Sequence, residues 1–600
     1  MDPPEIIDLT EDYPTPSSQA LPSSEASEHE AEGSIAGSSL KWYKKVNKRM
    51  GRGGHPYACQ AIAVQGASGD TLRYEDVKFW PYVGPLNPWK TPRSVEEAWN
   101  NYDNTVAICA QKKMIVGRCT DRDPWKVLWE MDVDDDLYTL AWTYHLFTCH
   151  PLIAVAGKKG FVHIIDAVLK RCLRVLRGHG GDILRLAVHP THPHIIASTS
   201  YDKTTRIWNI LGSDLPIIPA GERYNENFPM GDADEGDCTF AILAGEGRGG
   251  HRAYVADAAF HPTKNAVATV GLDRQVKIWP LPQLPKPSIN PLPTPIGYKA
   301  KIVHLPLFST SKLHADFVDN VEWLNEYTLM TRSRKEVKIW EWTAFSRFFR
   351  PDSLTSRTSE PSSADYTDSG SFSLVSEYPI GSDCWAMNAS FHRQFTPTSQ
   401  EVINFEKNEH LVTDPLIALT AHRESNGPLP EILLFNPLLA EDGVSPTPIT
   451  RKRLRDRRDS SSSNENDSEH ESSEFMSSPE KTKDGQRSVG RPRKIQSGRS
   501  MESSSFQNGT STPGRSITKS EGTTSVSPEK QSGTQSNKSL EPWRLVATDY
   551  QALMRQNRQK GLKIFAAGTN LCNVAISPRG AEWIIGVGEP GTVFVWKIDI

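Results

Sequence analysis

From Leu40 onward, apolar residues fall in short alternating runs that are rich in β-branched and aromatic side chains and separated by turn-forming residues. That texture predicts many antiparallel strands. Two stretches repeat almost without gaps: GHGGDILRLAVHPTHPHIIASTSYDKTTRIWNI at 178–210 and GHRAYVADAAFHPTKNAVATVGLDRQVKIW at 250–279. Each has Gly-His, a strand ending in His-Pro, a second strand, an Asp-led turn and a third strand ending in Trp. His179, Ser198, Asp202 and Trp208 of the first recur as His251, Thr269, Asp273 and Trp279 of the second. These residue types suit a buried hydrogen-bonded chain: the Asp fixes the turn, the His links to it, and the Trp N–H finds an acceptor.

Two such copies are the signature of WD repeats, each building one four-stranded propeller blade. Weaker copies follow the same spacing. Residues 314–340 end in Trp340, with Arg334 in the place of the turn Asp, and residues 573–596 end in Trp596. Residues 105–128, 139–166 and 385–436 keep the strand spacing and lose the marks. The expectation is an all-β, seven-bladed WD40 propeller, with residues 40–47 as the strand that closes the ring beside the last blade. Residues 40–442 would hold blades one to six and 541–600 blade seven. Residues 443–540, almost pure Ser, Thr, Lys, Arg and Glu, would form a disordered insertion between the sixth and seventh. Residues 1–39, acidic and rich in Ser and Pro, read as a disordered tail.

Composition narrows the function classes. An apolar fraction of 37% with 43 prolines fits one large core plus disordered segments. The net charge of -4 leaves nucleic-acid contact to local basic clusters. Eight scattered cysteines without a C-x-x-C pair read as reduced intracellular thiols, and no apolar run reaches the ~18 residues of a membrane span. No G-x-S-x-G, Walker-type loop or H-E-x-x-H occurs. The chain therefore reads as a binding protein, not an enzyme, with no metal and no cofactor.

The stretch YTLAWTYHLFTCHPLIAVAGKKGFVHIID (Tyr138–Asp166) resembles the second blade of the EED (extra sex combs) family, the WD-repeat subunits of Polycomb repressive complex 2. HADFVDNVEWL (His314–Leu324) and KWYKKVN (Lys41–Asn47) extend the resemblance, which covers most of 40–440 and 543–600. It implies a nuclear chromatin scaffold that binds an Enhancer-of-zeste-type methyltransferase and other Polycomb subunits. It also implies a reader of trimethyl-lysine on the histone H3 tail, whose bound peptide stimulates the enzyme. The reading site of this family is an aromatic cage, because a quaternary ammonium cannot donate hydrogen bonds and is held by cation–π attraction. Matched motif by motif, the cage falls on Tyr57, Tyr138 and Trp385, all expected at the start of the first strand of a blade. The family's second tyrosine is Ala386 here, a missing wall worth about three- to thirtyfold in affinity. Two other roles fit a WD propeller: an EED-like scaffold without methyl-lysine reading, and the substrate receptor of a cullin ubiquitin ligase.

Three short signals lie outside the repeats. EIIDLTED resembles a SUMO-interacting motif, with Ile6, Ile7 and Leu9 as an extended apolar core around Asp8. RKRLRDRR at 451–458 suits nuclear import. Gly490, Arg491, Pro492 and Arg493 resemble an AT-hook core for the minor groove of AT-rich DNA.

Overall fold

The structure is a computed structural model. It describes residues 41–45, 54–64, 73–82, 100–146, 148–210, 238–245, 249–284, 300–349, 360–380, 389–395, 411–421, 431–441, 542–546, 570–589 and 591–599. The SUMO-interacting-like residues Ile6–Leu9, the basic cluster, the AT-hook-like residues Gly490–Arg493, and Trp385 with Ala386 lie outside the described residues.

The chain opens on β1 (Tyr57–Val64). Next come β2 (Asp76–Phe79), β3 (Thr105–Arg118), β4 (Lys126–Tyr144), β5 (Pro151–Gly157), β6 (Val162–Asp166) and β7 (Arg171–Leu176), hydrogen-bonded in that order as one sheet. β8 (Ile183–Val188), β9 (Ile195–Ser200), β10 (Thr205–Asn209) and β11 (Thr239–Leu243) form the second sheet. β12 (Val255–Phe260), β13 (Ala266–Gly271) and β14 (Val276–Pro280) begin the third. β15 (Lys301–Val303) then adds to β11 in parallel, and β16 (Phe308–Thr310) completes the third sheet. β17 (Val318–Trp323), β18 (Thr328–Ser333), β19 (Glu336–Trp342) and β20 (Phe372–Pro379) form the fourth. β21 (Ala389–His392), β22 (Leu416–Ala421), β23 (Glu431–Phe435) and β24 (Trp543–Val546) form the fifth. β25 (Asn570–Ile576), β26 (Trp583–Glu589) and β27 (Thr592–Ile598) pair with β1 to make the sixth.

Buried apolar clusters join each sheet to the next all the way round. Ile164 and Leu152 meet Leu186 and Trp208, Ile207 meets Phe260 and Trp279, and Phe308 meets Trp323. Met330 meets Leu419, Leu416 meets Ile584, and Val595 returns to Val77 and Ile108. Sheets covered on both faces explain the unbroken apolar runs: every residue of β5, β12 and β13 is buried. Each sheet buries its flat faces in its neighbours, and the ring leaves only narrow edges to water.

Three expectations are corrected by this topology. Among the described residues six hydrogen-bonded sheets are present, not seven separate blades. The reason is β4, whose Lys126–Asp132 half pairs with β3 and whose Leu137–Tyr144 half pairs with β5. One strand thereby fuses what would be two repeats. The closing strand is β1, antiparallel to β27 with Tyr57 opposite Ile598, and not residues 40–47. Trp42–Lys44 instead forms a 3-10 turn, with the Trp42 ring edge-on to Tyr57 at 5.8 Å and to Trp543 at 5.1 Å. Its aromatic residues pack; they do not pair. Finally, β24 pairs with β23, so the low-complexity tract leaves between the third and fourth strands of one sheet and not between two blades.

The inner edge of the ring carries a polar clamp that repeats. The fully buried Asp76 accepts from Val77 N at 2.8 Å, Asn573 Nδ2 at 2.6 Å, Leu140 N at 3.0 Å and Thr139 Oγ1 at 3.2 Å. It thus ties β2 to β25 on one side and β4 on the other. Asp257 does the same on β12, accepting from Ala258 N at 2.8 Å, Asn320 Nδ2 at 2.8 Å and Val321 N at 3.1 Å. Three residues beyond Thr139 and Asn320, the indoles of Trp142 and Trp323 donate to the carbonyls of Lys78 and Ala259, at 3.0 and 3.1 Å. These carboxylates satisfy backbone donors of the inner strands, on their own strand and on the neighbouring one.

Candidate peptide-binding face

The two repeats with full marks close as hydrogen-bonded chains. His179 Nδ1 lies 2.7 Å from Asp202 Oδ2, its Nε2 lies 2.7 Å from Ser198 Oγ, and Trp208 Nε1 donates to Ser198 at 2.7 Å. His251 Nδ1 lies 3.0 Å from Asp273, its Nε2 lies 2.8 Å from Thr269 Oγ1, and Trp279 Nε1 donates to Thr269 at 2.8 Å. A hydroxyl that accepts from the indole has its own proton for the imidazole. The histidine is then neutral, with Nδ1–H donating to the carboxylate. Burial lowers both histidines, while their partners hold Asp202 below the usual carboxylate range and Asp273 at about 2.

The third copy, with Arg334 at the turn, keeps the chain by other means. His314 Nδ1 lies 3.0 Å from Glu336 Oε1, its Nε2 lies 2.7 Å from Thr331 Oγ1, and Trp340 Nε1 donates to Thr331 at 3.1 Å. A longer acid two residues further on reaches the same nitrogen. This leaves Arg334 to cover the Phe317 ring, its guanidinium 5.7 Å from the centroid.

Nine described histidines (55, 145, 179, 189, 192, 251, 261, 314 and 392) are lowered by burial. Above pH 6.5 they are neutral whether the chain is folded or not. As pH falls below it, the unfolded chain takes up protons that the folded one refuses. Each histidine then destabilises by up to about 1.4 kcal/mol per pH unit until its folded value is reached. The carboxyls of Glu75, Asp257, Asp319, Glu322 and Glu377 are raised, chiefly by loss of water around them, and act in the opposite sense, but they are fewer. Thermal unfolding followed from pH 7.5 to pH 5 is expected to show a falling Tm; a constant or rising Tm would contradict neutral burial of these rings.

The His–Asp contacts gather at the end of the ring where the inner strands begin, and Tyr138 stands at that end. The pairing of β4 with β5 steps from Leu137 directly to Thr139, so Tyr138 occupies a bulge. A bulged residue is free of the ladder, and its side chain is re-aimed. Half-buried, its phenol is pushed up to about 12, chiefly by burial and then by the carboxylates of Asp182 and Asp136, with Tyr201 and Glu75 also close. Tyr201 follows β9 and donates its N–H to the Asp182 carbonyl at 2.9 Å. It stacks on Tyr254, which precedes β12, with centroids 4.2 Å apart and planes 17° apart. Both rings are exposed.

Tyr57 departs from the cage expectation. It lies on the outermost strand of its sheet and is 7% exposed, with its hydroxyl donating to the Ala581 carbonyl at 2.6 Å. It packs with Tyr43, Val412 and Trp543, so its ring is core and offers no open face. The structure thus does not bring Tyr57 to Tyr138. Sequence reasoning passed over Glu75, Asp182, Tyr201 and Tyr254; the signal for the last two was an aromatic beside the turn Asp and one just before an inner strand. Among the described residues, no group of three His, Cys, Asp or Glu could hold a metal ion, and no helix is long and apolar enough to cross a membrane.

The WD domain, G-beta repeat family matches residues 170–209 and 247–280. The chain is 28% identical over 247 residues to the Polycomb group protein FIE1 of Zea mays, a match covering 40% of this chain and 48% of that protein. It is 28% identical over 287 residues to the Polycomb protein EED of Chaetomium thermophilum, covering 46% of this chain and 43% of the relative. It is also 28% identical over 221 residues to the Polycomb protein esc of Drosophila melanogaster, covering 35% and 45%. The chain thus spans about half the length of these relatives. The humanized mutant of the Chaetomium thermophilum Polycomb Repressive Complex 2 bound to the inhibitor GSK126 superposes with a TM-score of 0.50 at 17% identity, covering 90% of this chain and 97% of the other. That last likeness concerns the fold.

Ring and tetrads together define an all-β WD40-repeat propeller. Within that class the chain is similar to the Polycomb proteins EED, esc and FIE.

Proposed function

We propose that this chain is a non-catalytic scaffold of a Polycomb-type histone H3 methyltransferase complex in the nucleus, with an Enhancer-of-zeste-type enzyme as its principal partner. Its platform is the ring of six sheets. The face that carries Tyr138 reads trimethyl-lysine on an H3 tail, and occupancy stimulates the enzyme subunit held on the opposite face, a coupling of typically 1–3 kcal/mol. The observation that carries the reading is Tyr138, an aromatic held in a bulge at the start of an inner strand with Asp136 and Asp182 beside it. Flat π faces bordered by carboxylates suit a quaternary ammonium. Trp385 is the second wall of this reading, and Tyr57 is not a wall. The SUMO-interacting-like segment and the AT-hook-like segment would add SUMO and AT-rich DNA as further partners.

Titrating unmethylated and trimethylated H3 peptides against the full chain tests the reading. Methylation is expected to tighten binding, and Tyr138→Ala to weaken the methylated peptide about three- to thirtyfold while leaving the unmethylated one nearly unchanged. Equal affinity for the two peptides would leave the second reading, a scaffold that does not read methyl-lysine. The burial of Tyr57 and the alanine at position 386 favour that alternative.

A further inference from the structure

The stacked pair Tyr201–Tyr254 belongs to no tetrad and to no clamp. Each of these rings is large, apolar and exposed, at 40% and 39% of its surface, where most aromatics of the ring are buried. Exposed aromatic area on a binding face is usually there to be covered. Its surroundings indicate by what. Asp182 acts on both Tyr138 and Tyr201, and Asp136 acts on Tyr138, so the rings are bordered by negative charge.

The neighbouring repeat supplies an internal precedent. Tyr254 and Phe317 hold equivalent places, each one residue before an inner strand and three before the clamp residues Asp257 and Asn320. At Phe317 the chain lays its own Arg334 guanidinium over the ring at 5.7 Å. Tyr254 instead stacks on Tyr201 of the preceding sheet, and both residues are exposed.

We infer that the Tyr201–Tyr254 stack is a station for a guanidinium: an arginine side chain of the same extended basic peptide whose methylated lysine meets Tyr138. This rests on the methyl-lysine reading for the path of the peptide, but not for the chemistry of the station. A planar cation stacks on tyrosine faces and pairs with a nearby carboxylate, here Asp182, better than an ammonium does. The arrangement gives the face a two-point requirement, a quaternary ammonium at one place and a guanidinium at another. Sequence context around the lysine is then read along with its methylation.

The test uses the full chain and four peptides of one basic sequence, with lysine or trimethyl-lysine and with arginine or citrulline near it. In the wild type, citrulline in place of arginine is expected to weaken binding about three- to tenfold. The double variant Y201A/Y254A should lose that dependence while keeping its preference for trimethyl-lysine, and Y201F/Y254F, which keeps both π faces, should retain it. If citrulline and arginine peptides bind the wild type alike, or if the arginine preference survives in Y201A/Y254A, the station is overturned. If the arginine preference disappears only in Y201A/Y254A and methylation has no effect anywhere, the methyl-lysine reading fails and the station stands.

Discussion

Asp76→Ala is expected to destabilise the ring by about 3–5 kcal/mol, as measured by urea or thermal unfolding. The carboxylate is fully buried and takes hydrogen bonds from four groups on three strands, β25, β2 and β4. Alanine would remove the acceptor of the Val77 and Leu140 N–H groups and leave the amide of Asn573 only the longer contact to the Glu75 carbonyl at 3.4 Å. Each such orphan costs about 1–3 kcal/mol, reduced where the chain relaxes or water enters. Because β25 belongs to the last sheet and β2 to the first, the damage falls where the two ends of the chain meet. Asp76→Asn keeps one acceptor oxygen and should lose about half as much. A loss under 1 kcal/mol for the alanine variant would mean that closure depends on the β1–β27 pairing alone.

Trp279→Ala should cost about 3–5 kcal/mol, the range for emptying a buried aromatic site. The indole is 1% exposed and packs between the sheets of β8–β11 and β12–β14, against Ile207 and Phe260. Thr269→Val separates packing from polarity at the same place. Its volume is nearly conserved, but the hydroxyl that joins Trp279 Nε1 to His251 Nε2 is gone. That leaves two buried nitrogens without their partner, with an expected loss of about 1–3 kcal/mol. If Thr269→Val proved as damaging as Trp279→Ala, the hydrogen-bonded chain rather than the packing of the indole would be what holds this blade. If it proved neutral, the tetrad would be a consequence of the fold and not a support for it.

What could be read from the sequence was what residue identity alone encodes. The tetrads announce themselves because His, Ser or Thr, Asp and Trp at fixed spacing have few other reasons to recur, and with them came the all-β ring. The third tetrad was half hidden, because Glu336 performs from two residues away what Asp202 and Asp273 perform at the turn. Alternation misled at residues 40–47, since apolar residues that pack as a 3-10 turn and residues that pair as a strand look alike in KWYKKVN. The clamp stayed invisible for a different reason. Asp76 with Thr139 and Asp257 with Asn320 are each 63 residues apart, and only the ring sets them side by side. Tyr57 shows the limit of motif matching: an aromatic at the start of a strand is core or site depending on which edge of the sheet that strand occupies, and the motif does not say which.

The proposed partnership of this propeller with a histone methyltransferase can be checked by tagging the endogenous protein and identifying by mass spectrometry what co-purifies with it at near-stoichiometric yield. A SET-domain methyltransferase of the Enhancer-of-zeste type is expected, together with other Polycomb subunits. Recovery of cullin adaptors with no methyltransferase would contradict it and make the propeller a ubiquitin-ligase receptor instead.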